Sequence, residues 1–155
     1  MTEAKLAPKL PGWMVEHANR YISSGGTDGH MYTTTLPDGS KITVPALLLT
    51  TTGRKSGETL LLPLFYGKER DSYFVIASKG GAPQHPGWYL NILEHPEVAL
   101  QVGTAKMKAR ARTATGEERA RLWENALKFW PPYADYQRST QREIPVVVLD
   151  PVSRG

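Results

Sequence analysis

Apolar and polar positions recur in distinct rhythms along this chain, and the changes of rhythm mark its elements. Residues 12–22 set Trp13, His17 and Tyr21 beside Met14, Ala18 and Ile22 at helical spacing, which predicts a short amphipathic helix. Ser23-Ser24-Gly25-Gly26 breaks it, and a polar loop to His30 leads into an extended piece at 31–36. Pro37-Asp38-Gly39 supplies turn residues before 41–44, so a hairpin is expected there. Apolar and β-branched runs at 46–52, 58–67 and 72–78, punctuated by glycines, predict three successive antiparallel strands. Three more lie at 97–103, 106–113 and 144–149. Two helices interrupt them. One opens at Pro86 and stops near Pro96; the other has Thr115 and Glu118 spaced as a capping box and ends at Pro131-Pro132. Six or more short strands with two or three helices predict an α+β barrel.

Length and composition narrow the classes. At 155 residues one domain accounts for the chain, with a helix and loop over 1–30 and the barrel over 31–150. No apolar run approaches the roughly 18 residues of a membrane span. The first residues lack the basic start and apolar stretch of a secretory signal, and there is no cysteine to oxidise, so a cytoplasmic location is expected. Without cysteine there is no thiolate catalysis, and His17, His30, His85 and His95 lack the spacing of metal ligands, so no metal is expected. The formal net charge of +4 favours anionic partners: nucleic acid, acidic lipid or a phosphorylated cofactor.

Candidate chemistry sits in turns. Gly53-Arg54-Lys55-Ser56-Gly57 resembles the tail of a nucleotide-binding P-loop, but the residues from Glu58 onward read as strand, which excludes a triphosphatase. There remains a glycine-flanked turn able to aim amides, a guanidinium, an ammonium and a hydroxyl at one phosphate. A solvated hairpin turn is its default alternative. Ala77-Ser78-Lys79-Gly80-Gly81 offers a second lysine and hydroxyl, with glycines that let a ligand touch the backbone. Pro86-Gly87-Trp88-Tyr89-Leu90-Asn91 puts two aromatics and an amide in the first turn of a helix, where a flat heterocycle could lie; Trp88 as core filler is equally compatible. Lys106, Lys108, Arg110 and Arg112 alternate along one strand, by default a solvated face and alternatively a track for an acidic tail.

Taken in order, residues 49–57, Pro63-Leu64, residues 77–81, Pro86 to Asn91, Tyr133-Ala134-Asp135-Tyr136-Gln137 and Ile144-Pro145-Val146-Val147-Val148 resemble the deazaflavin-dependent nitroreductase family of actinobacteria. The resemblance implies a split β-barrel related to pyridoxamine-phosphate-oxidase-like flavin-binding barrels. It implies coenzyme F420, in its reduced form, as hydride donor to a quinone, enone or nitro-aromatic. Carried over by position, Arg54, Lys55 and Ser56 hold the cofactor's phosphate. Leu60, Leu62, Pro63, Leu64 and Phe65 border the deazaflavin, as do Ile76, Ala77, Ser78 and Lys79, while Gly87, Trp88, Tyr89 and Asn91 close over it. Trp130, Tyr133 and Tyr136 line the acceptor pocket, and Ser78, Tyr133 and Tyr136 are the candidate proton donors. Trp130 stands where nitroimidazole-reducing relatives often have tyrosine, and His85 where asparagine is expected before Pro86.

Two alternatives accompany this assignment: an FMN-dependent reductase of the same fold, and a barrel that binds a cofactor or lipid without turnover. The implied partner is a small-molecule acceptor and not nucleic acid, because Trp88, Tyr133 and Tyr136 belong to a pocket motif rather than to a basic face. A monomer or homodimer fits. The Trp13, Met14, Tyr21 and Ile22 face is expected to pack on the barrel, with peripheral contact at the inner face of the cell membrane as the alternative.

Overall fold

The computed structural model describes residues 4–153, and each predicted strand run lies in one mixed sheet. The strands are β1 (Lys5–Leu6), β2 (Met31–Thr35), β3 (Lys41–Thr52), β4 (Thr59–Phe65), β5 (Gly67–Glu69), β6 (Ser72–Ile76), β7 (Glu97–Val102), β8 (Ala105–Thr113) and β9 (Val146–Ser153). The helices are α1 (Gly12–Ser23), α2 (Gly87–Glu94), α3 (Gly116–Phe129) and α4 (Pro132–Arg138). Strand order is β1-β4-β3-β7-β8-β9-β6-β5, with β2 added to β3. Every pairing is antiparallel except β1 with β4. The path has two free ends, so the barrel is split, as the resemblance implies. Residues 1–3 and 154–155 of the expected single domain lie outside the described residues.

The runs predicted at 41–44 and 46–52 form one strand. β2 pairs with residues up to Pro45 and β4 with residues from Ala46, so the proline stands where β3 changes partners and its missing N–H breaks neither ladder. The predicted capping box does not form. Thr115 is the N-cap residue of α3 without a side-chain bond, and the Glu118 carboxylate, which would have accepted from the Thr115 N–H, instead accepts from Arg112 at 2.7 and 3.0 Å.

Two cores flank β6 and β9. Val75, Ala77, Val147 and Leu149 point into the barrel with Leu47, Leu49 and Leu100, while Phe74, Ile76, Val146 and Val148 point outward under α3 and α4. Burial on both faces explains why these strands read as unbroken apolar runs. Ala109 and Ala111 share the barrel core with Trp88, Tyr89 and Ile92, and their small side chains leave room for α2 to plug the barrel.

α1 packs on the sheet through His17, Ala18 and Tyr21, all fully buried. The Tyr21 hydroxyl accepts from the Gly103 N–H at 2.6 Å and donates to the Ala46 carbonyl at 3.0 Å. The apolar face considered for membrane contact is therefore divided: Tyr21 faces the barrel and Met14 packs against its core, leaving Trp13 and Ile22 exposed. No helix among the described residues is long and apolar enough to cross a membrane.

His17 makes stability depend on pH. Its Nε2–H donates to the Gly29 carbonyl at 2.7 Å, its Nδ1 has no partner among the described residues, and burial holds its pKa below the ordinary value. His85 is depressed likewise, by burial and by the nearby Arg142. The folded state thus favours neutral imidazoles, and as pH falls below about 6.5 the unfolded chain takes up protons first. The stabilisation is complete above that value and is lost as pH falls through the folded pKa values. The melting temperature should be level near pH 7 to 8 and fall between about pH 6.5 and 5.5, above the carboxylate range. His17→Gln, which keeps a donor but does not titrate, should flatten the fall. A wild-type melting temperature constant over that window would contradict this coupling.

Candidate active site

Beyond Thr52 the chain turns back sharply. The Gly53 N–H donates to the Glu58 carbonyl at 2.7 Å and the Gly57 N–H to the Gly53 carbonyl at 2.9 Å. A Cβ at 53 would stand 2.7 Å from the Ser56 hydroxyl and force it to turn away, and Gly57 has φ +73°, which favours glycine. The Ser56 hydroxyl accepts from the Glu58 N–H at 3.1 Å, while Arg54 and Lys55 are exposed at the tip. The carboxylate of Glu58, the acid nearest this turn, is bound by Lys5, which holds its pKa down and keeps it from competing for the two cations.

Arg54 is aimed by a buried amide. Asn91 is 5% exposed, and its Oδ1 accepts from both the Arg54 N–H (3.1 Å) and Arg54 Nη1 (2.8 Å), while its Nδ2 donates to Thr51 at 3.2 Å. Nη1 also donates to the Gly87 carbonyl at 3.3 Å. Guanidinium Nε and Nη2 have no partner among the described residues and face a prospective ligand. Asn91, expected to contact the cofactor, spends its Oδ1 on orienting Arg54 and one Nδ2–H on Thr51. Thr51, the third member of this chain, was not apparent from the sequence, since it reads as one more strand residue.

The second turn is a compact left-handed bend. Ser78 is right-handed helical (φ −82°), whereas Lys79, Gly80 and Gly81 have φ of +47°, +63° and +84°. A right-handed residue followed by a left-handed one gathers successive amides into an anion-binding concavity. Gly81 must be glycine, since a Cβ would lie 2.9 Å from the Tyr136 backbone; this turn is flush against α4. The first turn of α2 lies between the two sites, joined to Arg54 at Gly87 and, through the Tyr89 ring 5.0 Å from that of His85, to the second.

The remaining predicted residues divide. Trp88 and Tyr89 are 7% and 6% exposed in the barrel core, with the Tyr89 hydroxyl 2.8 Å from that of Thr113, so neither ring face is open to a ligand; α2 offers backbone and the exposed Gly87 instead. Ile76 points into the outer core and Ala77 into the barrel. Along β4, Leu62 and Leu64 face the barrel core, with Leu60 in step, while Pro63 and Phe65 alternate to the other face. Trp130 is half-buried with its ring 4.9 Å from Phe65. Tyr133 lies in the outer core against Phe129 and Trp123, and burial drives its pKa upward; Tyr136, 6.0 Å from it ring to ring, keeps partial exposure. The cationic row on β8 is half neutralised, Arg110 by Glu97 and Arg112 by Glu118 and Asp150, which suits a solvated face better than a track.

Sequence and structure comparisons place this arrangement. The family model described as F420H(2)-dependent quinone reductase matches residues 13–151. The chain belongs to this family. An F420H(2)-dependent quinone reductase of Mycobacterium tuberculosis is 40% identical over 112 residues, 68% of this chain and 72% of the relative. A solved F420-H2 dependent reductase (FDR-A) superposes with TM-score 0.65 at 44% identity, covering 68% of this chain and 94% of that one. A second solved structure, described as a domain-swapped dimer, gives 0.66 at 39% identity, covering 89% of this chain and 97% of that one. Membership in the F420H(2)-dependent quinone reductase family makes the protein an oxidoreductase with reduced F420 as its cofactor. The residues present fit that group: a guanidinium edge on a buried anchor, an amide concavity beside Lys79, and no unpaired acid at the first turn among the described residues, which suit a phosphate with a carboxylate tail.

Proposed function

We propose that this protein passes a hydride from reduced F420 to a quinone-type acceptor between the two turns and α4. The observation that carries this is Arg54, held at the mouth of α2 by the buried Asn91 with two guanidinium nitrogens unused. Arg54, Lys55 and Ser56 bind the phosphate, and Ser78 and Lys79 bind a second polar edge of the cofactor. Pro63 and Phe65 border its ring, and Gly87 lets it approach the backbone of α2. When bound, the reduced cofactor supplies the hydride. The chain's own residues do the rest: they orient the acceptor, exclude water and deliver a proton, so that a quinone gaining one hydride and one proton leaves as hydroquinone. Tyr136 and Ser78 donate to the acceptor oxygen in this reading, which their partial exposure supports. Trp130 and Phe65 form an aromatic wall, and the buried Tyr133 supports Tyr136 from behind. Trp13 and Ile22, each about half exposed, are what α1 offers a lipid surface.

Titration of the purified protein with F420 and with FMN tests the assignment. F420 is expected to bind more tightly, and its affinity to fall as salt shortens the Debye length below about 10 Å. Equal or tighter FMN binding would shift the function to a flavin reductase of the same fold.

A further inference from the structure

Arg142 lies between α4 and β9 in no motif, yet its guanidinium is more fully hydrogen-bonded than any side chain in either turn. Nη1 donates to the Ala77 carbonyl (3.2 Å), Nη2 to the Ser78 carbonyl (2.7 Å) and Nε to the Ala82 carbonyl (2.9 Å). Nη1 also meets His85 Nδ1 at 3.0 Å. Four of its five N–H groups are thereby spent on one loop. Its own backbone is fixed from α4: Gln137 Nε2 donates to the Arg142 carbonyl at 2.8 Å, and Gln137 Oε1 accepts from the Ile144 N–H at 2.9 Å.

Peptide and imidazole chemistry give this clamp two consequences. A peptide plane points its C=O and N–H in opposite directions, so drawing the Ala77 and Ser78 carbonyls toward Arg142 turns the Ser78 and Lys79 N–H groups the other way. Those are the amides of the left-handed bend. Arginine has no acceptor, so His85 Nδ1 must be the acceptor and the ring proton must sit on Nε2. The groups against His85 are Arg142 and Tyr89, and no carboxylate faces it among the described residues.

We propose that Arg142 is the positioning residue of the F420 site: it touches neither cofactor nor acceptor, but it turns the Ser78 and Lys79 amides toward the anion and fixes His85 as a neutral Nε2–H donor at the edge of the ring site. Because the same segment is clamped by Gln137 and Gly81 abuts Tyr136, Arg142 also sets the cofactor turn relative to the acceptor helix. The depressed pKa of His85 agrees with this arrangement.

The inference rests on the Ser78–Lys79 turn being part of the cofactor site, and the experiment separates the two. Nitrogen NMR of the wild-type protein without cofactor should show His85 as the Nε2–H tautomer, taking up its proton only below the ordinary histidine value of about 6.5; an Nδ1–H tautomer, or protonation at or above that value, overturns the proposal without any variant. Arg142→Lys keeps the charge but cannot span four acceptors with a planar fork. It should mix the His85 tautomers and weaken F420 binding, read by titration, by tenfold or more. If Lys79→Gln weakens F420 binding and Arg142→Lys leaves both affinity and tautomer unchanged, the role of Arg142 falls alone. If Lys79→Gln changes nothing, the cofactor turn is misplaced and the proposal falls with it.

Discussion

Replacing Arg54 with Met is expected to weaken F420 binding about a hundredfold. A hydrogen bond to a charged group contributes roughly 1.5–3 kcal/mol, so losing a two-pronged contact to phosphate costs about 3 kcal/mol even with part of the phosphate reclaimed by Lys55. Methionine keeps much of the aliphatic stem, so the turn itself should hold. Asn91→Ala should act through the same path with a smaller effect, about tenfold, because the guanidinium survives but is no longer held by Oδ1. The two changes share one interaction, so the double variant should bind little worse than Arg54→Met alone. Calorimetric titration of the three variants checks this. Full additivity would mean that Asn91 and Arg54 act separately and that the buried amide does not aim the guanidinium.

Tyr136→Phe is expected to slow acceptor reduction by about a hundredfold while F420 affinity stays within twofold or so. A hydroxyl that meets negative charge only as it develops on the acceptor oxygen affects turnover rather than cofactor binding, and one such donor in a water-excluded site is worth on the order of 3 kcal/mol. Phenylalanine keeps the ring and its edge-on contact with Tyr133. Tyr133→Phe is expected to leave turnover nearly unchanged, because that ring is 5% exposed and packs among Phe129 and Trp123. Steady-state kinetics with a saturating reduced cofactor distinguish them. Normal turnover by Tyr136→Phe would make Tyr136 a wall residue and leave Ser78 or water as proton source.

The range of each interaction decides whether the sequence conveys it or hides it. The strand runs were legible because burial on one or both faces leaves a local rhythm, and the two turns because positive φ favours glycine at 57, 80 and 81. The merging of 41–44 with 46–52 was not, since a proline inside a strand reads as an end unless the change of pairing partner at Pro45 is known. The capping box at Thr115 failed for a similar reason: Arg112, on the preceding strand, outcompetes the backbone for Glu118. In the site, residue types alone could not separate contact from support. Asn91, Trp88 and Tyr133 carry the right groups for ligand binding, but burial turns the first into an anchor and the others into packing. Arg142 left no local signal, because its partners stand 57 to 65 residues away in sequence.

Hydride transfer itself is tested by anaerobic oxidation of reduced F420 by the purified protein, followed by absorbance against a panel of quinones, enones and nitro-aromatics. Oxidation should require both protein and acceptor, run fastest with quinones, and be slowed both by Arg54→Met at limiting cofactor and by Tyr136→Phe at saturating cofactor. Tight binding of F420 with no acceptor-dependent oxidation across the whole panel would contradict a reductase and leave a barrel that holds the cofactor without turnover.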